Sequence, residues 1–329
     1  MNASVSLNVL DLFARFPAGI AQGLIWGVMA IGVFITFRLL DTADLSVDGT
    51  FSTGGAVTVM LILAGWNPWT ALVAATIAGI AAGMVTGLLH TRLGIPAILS
   101  GILTQYALYS VNLMIMGMKA NQAVSVDKYR LIISGRRVPH AIMNCGLLAV
   151  ILIAVLYAFF GTELGNAIRA TGCNHEMSKA QGINIGRMKV IGLALSNGLV
   201  AMAGGLSAQY SGFADVNAGR GAIVIGLAAV IIGEALCEAL PVKHLNFALR
   251  LSFVIIGGIV YYLVYTLVLW LKIDSNLMKL FTAVIVAVFL AVPYLRDAAR
   301  SSFHKAGRMS DRLRDDTPGL RAGGGEGNA

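Results

Sequence analysis

Apolar runs of about twenty residues, separated by short polar punctuation, recur along most of the chain. A helix of that length crosses the roughly 30 Å hydrocarbon core of a bilayer. Such runs cover residues 17–40, 69–89, 95–117, 141–160, 190–208, 222–240, 247–271 and 277–293. A further stretch, 51–65, is shorter, rich in Gly and Thr, and follows the acidic residues Asp41, Asp44 and Asp48. Short, polar-flanked backbone at membrane depth is tolerated where it is buried in protein or lines a cavity. The pattern therefore predicts an all-α polytopic membrane protein with eight full transmembrane helices plus one short broken or re-entrant segment. If 51–65 dips and returns, the amino terminus is cytoplasmic; if it crosses, the terminus is external. The dip is the expectation.

Composition sharpens this picture. A chain of 329 residues with 57% hydrophobic residues, 12% charged residues and a mean hydropathy of +0.78 is not a soluble globule. Thirty-eight glycines suit close helix packing in lipid, where dispersion and not hydrophobic drive holds helices together. The net charge of +8 is concentrated in loops and in the tail, so it reads as cytoplasmic bias and not as a nucleic-acid surface. Residues 1–16 form an N-terminal segment whose Asp11 and Arg15 do not suit a cleaved signal peptide. The basic, Gly-rich segment 296–329 reads as a disordered cytoplasmic tail. Cys145, Cys173 and Cys237 are far apart, and no metal site is expected.

Charge also orients the spans. Arg169, Lys179, Arg187 and Lys189 mark 161–189 as cytoplasmic, and so do the arginines of the tail. Four predicted spans separate the two, an even number, so the assignments agree. The loop 119–140 is then external in spite of Lys119, Lys128, Arg130, Arg136 and Arg137.

The segment 161–189 is the longest polar interruption and reads as two short helices. Thr162 or Asn166 would cap the first, with Gly172 closing it in a left-handed position; the second would start at Asn174, with Glu176 in its first turn, and end at Gly182. Such an element cannot span and suits docking to a partner. On 95–117, Gly101, Gln105, Tyr109 and Asn112 recur as one polar stripe, suited either to interhelical hydrogen bonds or to lining a path. Asn197 and Gln209 are isolated polar residues within apolar runs. Asp44, Ser46, Asp48 and Thr50 precede the short segment and suit caps, or contacts to the amino group of a zwitterion. Glu234 and Glu238 share one helical face; pairing with Arg250 is the plain reading of Glu234, and gating is the other. The sequence contains no phosphate-binding Gly-x4-Gly-Lys-[Ser/Thr] loop and no hydrolase motif, so no catalytic residues are assigned and energy must come from a partner or an ion gradient.

Gly165, Arg169, Ala170, Gly172, Ala180, Gly182, Ile183 and Lys189 resemble the coupling loop of ABC importer permeases in the branched-chain amino acid and ribose family. Residues 44–52, 101–112, 208–215 and 226–234 resemble other segments of that family, and the resemblance extends over 17–292. It implies a type II ABC importer-like permease with its transmembrane domain at 17–295, in the bacterial plasma (inner) membrane. A second permease copy, cytoplasmic ABC ATPase subunits that hold ATP and Mg, and an extracytoplasmic solute-binding protein would be its partners. Glu163, Gly165, Arg169, Gly172, Lys179, Ala180, Gly182, Ile183 and Lys189 would contact the ATPase. Asp44, Ser46, Asp48, Thr50, Thr104, Gln105, Tyr109 and Asn112 would lie along the translocation path. The chain itself would need no cofactor, and the solute would be small and polar, an amino acid or a related compound. The competing expectation is an ion-coupled secondary transporter using Glu234.

Overall fold

The computed structural model describes residues 9–126, 128–239 and 246–271, with six helical positions between 280 and 291. The chain divides into two compact units, 1–286 and 287–329, and every element named below belongs to the first. Helix α1 (Val9–Phe34) passes into a π-helical turn, Ile35–Leu39. It is followed by α2 (Val47–Leu63), α3 (Pro68–Arg92), α4 (Ala97–Ile115), strand β1 (Asn121–Ala123) and α5 (Val138–Phe160). Two short helices, α6 (Glu163–Cys173) and α7 (His175–Ala180), precede α8 (Ile185–Ser211), strand β2 (Phe213–Asp215), α9 (Ala222–Ala239) and α10 (Phe247–Trp270). Seven of these helices are long and apolar enough to cross a membrane, and α2 is a shorter apolar helix. The expected span at 277–293 and the tail at 296–329 fall outside the described residues apart from the isolated positions.

Local chemistry fixes the ends. The side chain of Asn67 accepts from the amide of Trp69 at 3.0 Å, with Pro68 at the first helical position of α3. Helix α8 stops at Gly212, whose φ of 78° suits a residue without a β-carbon. The centre of the fold is the packing of α2 against α8. A β-carbon on Gly54 would strike the backbone of Ala201, and one on Gly204 would strike the carbonyl of Phe51. Backbone therefore lies on backbone, the geometry that small residues permit in membranes.

Contacts at the two ends of α1 give its direction. Gly19 faces Thr266 near the end of α10, whereas Phe34 stacks 6.4 Å from Phe247 at the start of α10, so the two helices are antiparallel. Phe247 also lies 5.1 Å from Phe160 and beneath the guanidinium of Arg169, which places the end of α1 at the α6–α7 face. Helix α2 begins beside Asn197, in the middle of α8, and its far half packs with Val124, Ala214 and Val216 near the β-strands. The chain thus crosses between Leu40 and Leu63 as a broken span, residues 41–46 supplying the irregular part. The expected dip is overturned, and α1 starts on the face opposite α6 and α7. The short segment needs no full-length helix because it is enclosed by protein along most of its length and does not have to satisfy lipid over 30 Å.

The fold is the expected all-α membrane bundle, with two three-residue strands as its only sheet among the described residues. They form an antiparallel ribbon, with Asn121 opposite Asp215 and Ala123 opposite Phe213, that joins the α4–α5 connection to the α8–α9 connection. Gln209, an isolated polar residue in the sequence, anchors the same connection by accepting from the amide of Ile132 at 3.0 Å.

Candidate functional site

The polar stripe of α4 and the start of α2 converge on one cavity of about 630 Å³. Asp48, Gly49, Ser52, Gln105, Tyr109, Asn112 and Arg220 are among its lining residues. Helical spacing puts Gln105, Tyr109 and Asn112 on neighbouring positions of α4, while Gly49 lets α2 approach: a β-carbon there would lie 3.0 Å from the Cα of Gln105. Asn112 is fully buried and its amide donates to the carbonyl of Gly49 at 3.5 Å, a long bond. Its carbonyl oxygen has no protein partner. Asp48 is committed elsewhere. One carboxylate oxygen accepts from the amide of Gly221 and the other from that of Ile223, both at 2.9 Å, so this residue of α2 caps the first turn of α9. Ser52 accepts from the amide of Gly219 at 3.0 Å in the same way.

The other residues expected along the path lie away from this cavity's lining. Asp44 is buried in a hydrogen-bonded knot. It accepts from the amide and hydroxyl of Ser46 at 2.8 and 2.6 Å, and from the side-chain amide of Asn197 at 2.7 Å. Thr50 donates back to the carbonyl of Ser46, and Thr104 donates to that of Ser100 while accepting from Thr86 at 2.9 Å. The acidic segment therefore splits into separate roles: Asp41 is exposed with φ of 51°, Asp44 holds α8, and Asp48 holds α9. Arg220 had no signal in helical periodicity, because it sits in the turn after β2; a single cation in a Gly-flanked connection between two apolar spans was the available clue.

At the other face, α6 and α7 form the expected capped pair. Thr162 accepts from the amide of Gly165 at 3.3 Å, Asn174 accepts from that of Met177 at 3.0 Å, and Gly182 has φ of 77°. Gly172 departs from expectation. It lies inside α6, which runs on to Cys173, and its need is steric: a β-carbon there would strike the carbonyl of Leu39 at the end of the π-helical turn. Gly165 is seated likewise on the backbone of Phe159 and Phe160. Arg169 lies 5.3 Å over the Phe247 ring, Ile183 packs on the core, and Lys189 Nζ is 3.4 Å from His90 Nε2. Glu163, Lys179 and Ala180 are exposed, with Leu164 and Met177 as apolar neighbours on the same element. Glu234 also departs from expectation. Its partner is Arg38, at 2.8 Å, and not Arg250, because the π-helical turn carries Arg38 onto α9.

Comparison with known proteins bears on this arrangement. The family described as "Branched-chain amino acid transport system / permease component" matches residues 16–293. A tyrosine transport system permease protein of Clostridioides difficile is 38% identical over 272 residues, covering 82% of this chain and 88% of that protein. The ribose import permease protein RbsC of Escherichia coli is 27% identical over 181 residues, covering 54% of this chain and 55% of that one. No solved structure matches.

Proposed function

From the premise that this chain belongs to the branched-chain amino acid transport system permease family, we propose that it carries a small amino acid, delivered from outside by a binding protein, through an ATP-driven importer. The observation that carries this reading is the α6–α7 pair. Both helices are capped, both α6 glycines are locked against the ends of spans, and Leu164 and Met177 are left exposed for a partner. Cytoplasmic ATPase subunits dock there in this reading, since the segment carries the cytoplasmic charge bias. ATP-driven closure pushes α6 against the Leu39 carbonyl and tilts α1 and α8, so that the cavity at Asn112 alternates in access. A second copy of the chain completes the path about a two-fold axis. The amino-acid assignment rests on likeness to the tyrosine permease, which covers most of both chains.

The test is reconstitution in proteoliposomes with a cognate ATPase and binding protein. ATP-dependent accumulation of solute is expected. Uptake that proceeds without the ATPase, driven by a proton or sodium gradient, would instead support the ion-coupled reading.

A further inference from the structure

Helices α3 and α8 run antiparallel along a seam of small residues. A β-carbon on Gly83 would strike the carbonyl of Leu193, and one on Gly87 would lie 2.8 Å from the Cα of Val190. At the end of the seam nearest α6 and α7, the β-position of Gly186 is 3.6 Å from Thr91 Cβ, and a groove of about 370 Å³ opens beside it. Arg92, the last residue of α3, and Arg187, in the first turn of α8, both line this groove. Both are exposed, and neither side chain has a hydrogen-bond or ion-pair partner among the described residues, where the Arg38–Glu234 contact is the sole ion pair. The neighbouring basic groups are engaged with each other: Lys189 Nζ lies 3.4 Å from His90 Nε2, while His90 Nδ1 donates to the carbonyl of Ile95 at 2.8 Å. No acidic residue lines the groove among the described residues, and the first turn of α8 contains none.

We propose that this groove binds an anionic phospholipid, with Arg92 and Arg187 holding the phosphate and Leu88, Val190 and Ile191 receiving the start of an acyl chain. Two uncompensated cations on facing helices call for an anion, and guanidinium groups bind phosphate oxygens bidentately. The apolar half of the lining selects a lipid over a soluble phosphate. Leu88 lies one turn inside α3 from Arg92, and Val190 and Ile191 lie one turn inside α8 from Arg187, so the groove is charged at the ends of the spans and apolar toward their middle. Leu88 also continues an exposed apolar face of α3 formed by Val73, Ile77 and Met84, which helical spacing puts on one side. In a membrane-spanning helix such a face meets acyl chains, and the groove is continuous with it. Basic pockets between spans at the headgroup level receive lipid phosphates by this chemistry. A lipid held here would be a constituent of the transporter whatever its cargo and whatever drives it.

The experiment titrates the full-length protein, delipidated in a neutral detergent, with dioleoylphosphatidylglycerol, dioleoylphosphatidylcholine and glycerophosphate, and counts bound lipid by native mass spectrometry. Phosphatidylglycerol is expected to bind in preference to phosphatidylcholine, and glycerophosphate, which has no chains, should not displace it. Arg92→Gln and Arg187→Gln should each lower that preference about fivefold, the effect of one basic residue at an anionic surface, and the lysine replacements should retain most of it. Unfolding temperatures without lipid should match the wild type, since both side chains are exposed. An equal affinity of the wild type for the two lipids would overturn the site, and so would an unchanged preference in the variant carrying both glutamines. Displacement by glycerophosphate would make the groove a site for soluble phosphate and overturn the lipid. Loss of the fold in the glutamine variants would make the arginines structural, and loss of ATPase co-purification with lipid preference intact would assign them to docking; either result overturns the proposal.

Discussion

The carbonyl of Leu39 occupies the place where a β-carbon of Gly172 would be. Two backbones touch there, one from α6 and one from the π-helical end of the first span. Such a contact transmits displacement without the slack of side chains, since packed interiors deform little.

Gly172→Ala is therefore expected to destabilise the protein by about 1–3 kcal/mol, as overpacking does, and to reduce ATP-driven uptake further than the loss of folded protein explains. Thermal unfolding in detergent and uptake per folded molecule check it. Wild-type values in both would remove the contact from the coupling route. Gly182→Ala is the contrast: nothing lies near its β-position, and only its positive φ resists, at a cost of about 1–2 kcal/mol.

Arg38 and Glu234 form an ion pair whose side chains are 54% and 24% exposed, so solvent and salt weaken it. A double-mutant cycle should return a coupling energy of about 1 kcal/mol or less, falling with ionic strength. The exchanged pair Arg38→Glu with Glu234→Arg should recover what either reversal loses. Uptake by Glu234→Gln should remain dependent on ATP; a switch to insensitivity toward an imposed ion gradient would identify Glu234 as an ion-linked carboxylate.

The broken span fixes which positions face each side. In a protein retaining only Cys173, which is exposed whereas Cys145 and Cys237 are buried, an impermeant thiol reagent should label only inside-out vesicles. A cysteine introduced at Asp11 or Ala120, both exposed, should be labelled from outside. Labelling of Asp11→Cys from the cytoplasm would restore the re-entrant topology.

At the Asp44 knot, Asp44→Asn keeps an acceptor for Ser46, whereas Asp44→Leu removes the acceptor of the buried Ser46 amide and hydroxyl and of the Asn197 side-chain amide. The second variant should cost about 1–3 kcal/mol more than the first. Equal unfolding temperatures would show that water or rearranged neighbours meet those groups.

The spans were legible because lipid imposes a length and a composition on each crossing helix: α3, α5 and α8 enclose their hydropathic runs, and α4, α9 and α10 match theirs to within two residues at each end. The caps at Thr162 and Asn174 were legible for an equally local reason, since a cap is a short-range hydrogen bond. Residues 41–63 were not, because a segment enclosed by α3, α4 and α8 is fitted to protein, whose surface the sequence of the segment does not record. The partners of Asp48 and Glu234 lie 175 and 196 residues away, beyond any periodicity, so a cap for Asp48 and a pairing for Glu234 were expected but neither the α9 amides nor Arg38 could be read as the partner. Arg220 was the converse, a loop cation that only the fold brings to the cavity.

The β1–β2 ribbon and its flanking connection pack on α2 and are hydrogen-bonded to the end of α8: Val124 donates to the carbonyl of Gly212 at 2.8 Å, Gly135 to that of Tyr210 at 3.0 Å, and Gln209 holds Ile132. The opposite end of α8 emerges directly from α6 and α7. One rod of 27 residues, about 40 Å long, thus carries the strand ribbon at one tip and the α6–α7 pair at the other. In the importer proposed above, a tilt of that rod moves both tips in opposite directions, so a load on the ribbon reaches the α6–α7 pair through a single helix.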